Sequence, residues 1–370
     1  MIRPPPAERD SETPAKGSLP DTPGRPNADR TVESGAGRRF GLLFAGIGLV
    51  VVLGLLLDGD DLREMTAAAG KLPGWLALSA AVHLPQLVLT AAAWQILLGG
   101  GRVVSLAWMV LLRWLRESAG MLLPGGGLLG QVAAARMLVQ RGVPGDVAGA
   151  TATVDVTIEA AAQLFVTAIG LLLLLERGVA GQVVHAAAIG LILAALVVVA
   201  LIGMQRLPPH SPPAEALRAL GHRLPVRWRQ AVRDTLAAIL RLHADRTRLA
   251  GAFACHSAAW LLGSIEIVGL LALTGRTIAF TDGLIIETIA QALRSVGFML
   301  PGAVGIQEGA IVGAAALVGV PPGPALTVAL VRRGREVLTS LPGLLVWQRM
   351  QGRVAVPSHQ PAVVRTARSA

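Results

Sequence analysis

Long apolar runs, separated by short polar or arginine-rich stretches, make up most of the chain. They are too long and too evenly apolar to be the buried faces of soluble helices, whose apolar positions recur every three or four residues. A bilayer core about 30 Å thick needs roughly 20 apolar residues per helix. Runs near 40–57, 74–98, 146–175, 182–205, 249–274 and 324–348 approach or reach that length and predict about six full spans. Two more apolar segments, 103–141 and 283–320, are broken in the middle by Pro124-Gly-Gly-Gly127 and by Pro301-Gly302. A Pro-Gly break leaves backbone donors and acceptors unpaired, which hydrocarbon tolerates only where protein or a watery cavity covers them. Each broken segment therefore reads as a re-entrant helical hairpin, entering and leaving on one side. Two thin spans apiece is the alternative, with the same parity.

The two breaks are copies of each other. Ser118-Ala-Gly-Met-Leu-Leu-Pro124-Gly125 returns as Ser295-Val-Gly-Phe-Met-Leu-Pro301-Gly302. At the same offset, without a gap, Gly142-Val143-Pro144 meets Gly319-Val320-Pro321, Asp155 meets Arg332 and Glu159 meets Glu336. Three full spans separate the copies, an odd number, so the hairpins enter from opposite faces and form an inverted repeat about an axis in the membrane plane. Paired broken helices of this kind point to a transporter's central site. The predicted fold class is an all-α polytopic membrane protein with about six full spans plus two re-entrant helical hairpins.

Charge orients this layout. Between residues 206 and 248 nine arginines face Glu215, Asp234 and Asp245, and Arg349, Arg353, Arg365 and Arg368 follow the last span. The segment after the first span is acidic, with Asp58, Asp60, Asp61 and Glu64. By the positive-inside rule both termini face the cytosol and the protein resides in the inner membrane. Residues 206–248 carry apolar positions at helical spacing and read as a basic cytosolic connector of one or two amphipathic helices. Residues 1–37 are proline-rich and poor in bulky apolar side chains, so they read as a disordered cytosolic tail, as do 351–370; residues 38–350 form the integral membrane domain. A net charge of +10 would suit nucleic acid in a soluble protein. Here the charge lies in loops beside apolar spans, so no nucleic-acid partner is expected. The single Cys255 excludes an intrachain disulfide.

Ionisable residues inside spans are costly unless paired or hydrated, which makes them functional candidates. Arg113, Arg116 and Glu117 lie on the rising arm of the first hairpin; Glu287, Gln291 and Arg294 form one polar stripe on the rising arm of the second. Asp155, Glu159 and Gln163 stripe the span after the first hairpin, and Arg332, Arg335 and Glu336 share a face at the equivalent place in the last span. Glu308 follows the second break, and Glu266 stands alone in the fifth span. The repeat could bring Asp155 against Arg332 near the midplane. Ion pairs that lock the hairpins to their neighbours are the structural reading of the same residues.

Other motifs change little. Gly125-Gly-Gly127-Leu-Leu-Gly130 fits G-x-G-x-x-G, but no strand precedes it, so a dinucleotide site is set aside. Gly305, Gly309 and Gly313 recur every four residues and predict close helix packing. His83 and His256 lie in apolar helices without partners at metal spacing, and no metal or cofactor is expected.

The runs Arg116-Glu-Ser-Ala-Gly-Met-Leu-Leu-Pro124-Gly, Arg294-Ser-Val-Gly-Phe-Met-Leu-Pro301-Gly-Ala-Val-Gly305-Ile-Gln-Glu308-Gly and Val331-Arg-Arg-Gly-Arg-Glu336 closely resemble the flippase-like membrane region of lysylphosphatidylglycerol synthases. The resemblance covers about residues 40–350. Among stand-alone members the chain is most similar to hopanoid-biosynthesis-associated membrane proteins, through Pro301-Gly-Ala-Val-Gly-Ile-Gln-Glu-Gly309 and Leu341-Pro-Gly-Leu-Leu-Val-Trp-Gln348. What the resemblance implies is translocation or trafficking of a lipid, a hopanoid or a polar lipid, between leaflets. The aminoacyl-transferring domain of the synthases has no counterpart in these residues, so no enzymatic activity is carried over. An Asp-Arg pair common in relatives stands here as Asp155-Val156.

The reading is a lipid translocator with a charged midplane cavity lined by Arg116, Glu117, Pro124, Arg294, Pro301, Glu308, Arg332, Arg335 and Glu336, with Asp155 and Glu159 as counter-charges or proton carriers. The partners it implies are a membrane lipid and lipid-biosynthesis enzymes. A membrane scaffold that holds such enzymes at the bilayer is the alternative.

Overall fold

The computed structural model describes residues 69–100, 104–123, 126–178, 182–206, 225–296 and 305–352. The span expected at 40–57, most of both tails, Pro124 and Pro301 lie outside the described residues. Those residues are helical throughout, with no strand. After a 3-10 turn at Ala69–Lys71 come α1 (Leu72–Leu97), α2 (Leu106–Leu122), α3 (Gly126–Gln140), α4 (Gly145–Glu176) and α5 (Gln182–Gln205). Then follow α6 (Val226–Ala244), α7 (Arg246–Leu273), α8 (Phe280–Val296), α9 (Ile306–Ala316) and α10 (Pro322–Gly352).

Local chemistry sets most of these bounds. The Ser105 hydroxyl accepts from the Trp108 N–H to start α2, and the Asp245 carboxylate accepts from the Arg248 N–H to start α7. Gly142, Gly178, Gly275 and Gly319, all at positive φ, close α3, α4, α7 and α9, the C-terminal position that favours glycine. Helices α1, α4 and α7, with the Ala187–Gln205 stretch of α5, are long and apolar enough to cross a membrane. Helix α10 has the length, 31 residues or about 46 Å, but four charged residues in its middle lower its hydropathy.

Both broken segments are helix–break–helix units. In the first, the arms fold back on each other: a side chain at Gly126 would stand 1.8 Å from the Ala119 carbonyl oxygen, and one at Gly130 would stand 3.0 Å from that of Arg116. Only glycine lets two backbones approach so closely. The stripe Gly305, Gly309 and Gly313 does not act this way. A side chain at any of the three would meet nothing within 4 Å among the described residues, and Gly309 and Gly313 are exposed. Close packing falls instead on other glycines, among them Gly126 and Gly130 of the first hairpin and Gly283 of the second, where a side chain would stand 2.9 Å from the Ser264 carbonyl oxygen.

Helices α1 and α7 run antiparallel, with Gly251 against Ile96 at one end and Gly269 against Leu78 at the other. Each precedes a hairpin, so the hairpins start at opposite ends of the bundle. Each builds its own core. At one end Trp94, Met109, Leu112, Leu138 and Ala148 pack together; at the other, Ile267, Ile285, Ile289, Ile311 and Ala325 do so. Helix α5 turns Ile189, Ile192, Leu193 and Leu196 outward, as a lipid-facing helix does.

The basic connector resolves into one helix, α6, for the described part of residues 206–248. It docks Ala238, Ile239 and Leu242 on Ala150, Val154 and Ala252. His243 bonds the Gln205 side chain (2.9 Å), which donates to Thr157 (2.7 Å). Burial and the nearby Arg206 cation hold the His243 imidazole below its usual value. Below about pH 6.5 the unfolded segment takes a proton that the docked helix resists, so docking weakens as pH falls. The protection of α6 amides, taken relative to intrinsic exchange at each pH, should fall between about pH 7 and pH 5.5, and His243→Gln should flatten that dependence.

Candidate functional site

Three buried ion clusters occupy the middle of the bundle. In the first, α2 supplies Arg113, Arg116 and Glu117, and α4 supplies Asp155 and Glu159. Arg113 holds Glu117 (2.9 Å) and grips both oxygens of Glu159, one at 3.0 Å. Arg116 bridges Asp155 (3.0 Å) and Glu159 (2.7 Å). The far oxygen of Asp155 meets His256 Nε2 of α7 at 3.0 Å, and His83 of α1 approaches Glu117 at 3.6 Å. Asp155 and His256 are both fully buried.

In the second cluster Arg332 of α10 takes Glu287 of α8 through both nitrogens of its fork, at 2.5 and 3.2 Å, and reaches Glu266 of α7 at 3.3 Å. Arg335 donates to the Ser79 hydroxyl of α1 (2.9 Å), which in turn donates to Glu266. Gln291 donates to Glu287 at 2.9 Å.

The third cluster joins the hairpin tips. Arg333 of α10 holds Glu308 (2.6 Å) and Glu336 (3.3 Å), and its guanidinium lies 3.6 Å from the Met121 sulfur at the inner end of α2. Glu308 also accepts from the Gly305 N–H (2.7 Å), capping α9, and Gln307 donates to Glu336 (3.0 Å). One guanidinium therefore touches residues beside both breaks.

The first two clusters are related through two repeat-aligned pairs of positions, one of which carries opposite charge. Asp155 and Arg332 occupy aligned positions, and each pairs back to the rising arm of its own hairpin, to Arg116 in one case and Glu287 in the other. Ser79 and His256 are aligned by the same offset, and each crosses to the other repeat's cluster, Ser79 to Arg335 and His256 to Asp155. Such reciprocal exchange is what a twofold relation between repeats produces.

Of the residues singled out from sequence, Arg116, Glu117, Asp155 and Glu159 come together in the first cluster. Arg332, Arg335, Glu308 and Glu336 do not share one site: the two arginines serve the second cluster and the two acids the third. Asp155 pairs with Arg116 and not with Arg332, because each follows its own hairpin. The backbone of Arg294 belongs to α8; its side chain, with Pro124 and Pro301, lies outside the described residues. Glu266 is not alone, and His256 is not a lone packed histidine; both are central. Sequence reasoning missed Arg333 and Ser79 altogether. Their only signal was polarity beside a flagged residue or at a repeat-aligned position.

The charged cavity expected at the midplane is filled, around the second cluster, by the ion pairs themselves. The space between Gln163, Thr167, Trp260, Glu287 and Gln291 is about 10 Å³, room for about one water. Yet Arg332 Nε, His256 Nδ1 and Gln307 Oε1 are buried with no hydrogen bond among the described residues. Buried polar atoms left over in this way mark capacity for a further polar group.

Charge buried on broken, repeat-related helix pairs, beside helices long and apolar enough to cross a membrane, defines a polytopic membrane protein. The lysylphosphatidylglycerol synthase TM region family matches residues 41–343, and the chain belongs to it. It is a multi-pass membrane protein of a family concerned with lipids. No curated protein and no solved structure matches the chain.

Proposed function

We propose that this protein moves an amphipathic lipid between leaflets, its headgroup passing between the two hairpins while its tail stays in lipid. The observation that carries the reading is the set of buried ion clusters on the two repeat-related broken segments, with Arg333 between the end of α2 and the start of α9. When the site is empty, acids and bases satisfy one another; when a headgroup enters, its charges replace one partner of a pair. Guanidinium forks suit phosphate or carboxylate headgroups, and a hydroxyl-bearing lipid such as a hopanoid would need less charge. On this reading the lipid is moved without covalent change. The hairpins are re-entrant, the arginine-rich end faces the cytosol of an inner membrane, and Asp155, Glu159 and His256 supply the groups able to carry a proton.

A leaflet-resolved assay with fluorescent lipids in liposomes tests this. Arg333→Gln removes a charge-assisted contact of about 1.5–3 kcal/mol and should slow translocation about ten- to hundredfold, measured per folded molecule after monodisperse protein is selected by size exclusion. Undiminished translocation would remove the central-site reading. The scaffold reading is favoured by the outer face of α6, where Val232, Arg233 and Leu236 are exposed. Loss of enzyme capture on replacing that face, with translocation absent throughout, would favour it instead.

A further inference from the structure

A second cavity lies away from the three clusters, at the arginine-rich end of the bundle. It measures about 290 Å³ and sits where the end of α1, the start of α4, the second half of α6 and the start of α7 converge. Its floor is apolar, made by Leu97, Leu98, Val147 and Leu242, and its rim carries Arg241 and Arg248. Neither guanidinium is fully committed. Arg241 approaches Asp146 only at 3.6 Å, beyond hydrogen-bond length, and Arg248 gives its Nε to Asp245 at 2.9 Å. The outer edge of Arg248 lies over Gly99, where a side chain would stand 3.4 Å from Nη1, and Gly99 has a φ of +99°. Asp245 stays ionised, held below the usual carboxylate range by the Thr247 hydroxyl and the Arg248 N–H.

An apolar floor beneath two forked cations matches an anion attached to an apolar body. We propose that this cavity binds the phosphate-bearing headgroup and adjoining apolar segment of an anionic membrane lipid, at a site separate from the translocation path. The local charge agrees: residues 225–248 carry Arg227, Arg229, Arg233, Arg241, Arg246 and Arg248 against Asp234 and Asp245. Such a segment draws anionic lipid to the surface, and the cavity gives one molecule a fixed seat. A bound lipid would tie α6 to α1, α4 and α7. Thr151 on the cavity wall is one helical turn from Asp155, so the seat adjoins the first cluster without containing it.

The test uses the full chain in phosphatidylcholine vesicles, photolabelled with a diazirine-bearing phosphatidate or its choline counterpart, with label located by peptide mapping. Phosphatidate label should concentrate on the peptides around Leu97 and Leu98 and on 238–248, severalfold above the choline analogue. Arg241→Gln with Arg248→Gln should cut it roughly thirtyfold, whereas Arg233→Gln, on α6 but outside the cavity, should leave most of it. Both cavity arginines are solvent-exposed at their tips, so the double variant keeps the fold. Equal labelling by the choline analogue, or label unchanged in the double variant, overturns the proposal. Displacement of the label by inorganic phosphate alone would reassign the site to the free anion and overturn the lipid as occupant.

Discussion

Arg332→Ala leaves the carboxylates of Glu287 and Glu266 buried with no cation between them, and is expected to cost about 3–5 kcal/mol of stability. Glu287 cannot swing away to relieve this, because its carboxylate is pressed on the α7 backbone: a side chain at Gly263 would stand 2.7 Å from it. Thermal unfolding in detergent should show a large drop in midpoint. Arg332→Lys should recover only part of it, since an ammonium cannot reproduce the two-pronged contact. The informative partner is Glu287→Met with Arg332→Met. Replacing both members of a buried ion pair by apolar residues of similar volume is often neutral, and Glu266 keeps Arg335 and Ser79. The double variant should regain most of the stability while lipid translocation stays lost. Wild-type translocation by that variant would show the second cluster to be structural.

The second large effect is steric. Gly126→Ala places a methyl group 1.8 Å from the Ala119 carbonyl oxygen, a distance no atoms adopt, and the obstacle is backbone. The arms of the first hairpin must separate, at a cost of about 3 kcal/mol or more. Arg116 on one arm would then lose its register with Asp155 and Glu159, so loss of folded protein and loss of translocation should appear together. Gly127→Ala is the control. Its added methyl meets nothing within 4 Å, and replacing a glycine inside a helix should stabilise by about 0.5–1 kcal/mol. Thermal midpoints that fell equally for the two variants would refute the close packing of the arms.

The approximate extents of the apolar helices were readable because apolar length is local. Their exact ends, set by Ser105, Asp245 and the glycines at 142, 178, 275 and 319, came from the structure. The duplication was readable for the same reason, since it is written as a repeat of residues. Partners were not. Glu266 gives no hint from its neighbours that Arg332, Arg335 and Ser79 surround it, and His256 gives none that it faces Asp155. The glycine stripe on α9 had the expected spacing but meets nothing within 4 Å among the described residues, while Gly126, outside that pattern, makes the closest backbone approach. Spacing reports which residues share a helix face; it is silent on what that face meets.

What the chain's order of residues determined by itself is therefore the membrane class, the two broken segments and the positions of the buried charges. Each follows from hydrocarbon rejecting unpaired polar groups. The tertiary structure alone decided who pairs with whom. It kept Asp155 and Arg332 in separate clusters, crossed Ser79 and His256 between the repeats, and brought both hairpin tips to Arg333. The physical reason is that an ion pair depends on distances of 3 to 4 Å between side chains far apart in the chain, and only the packing of helices sets those distances.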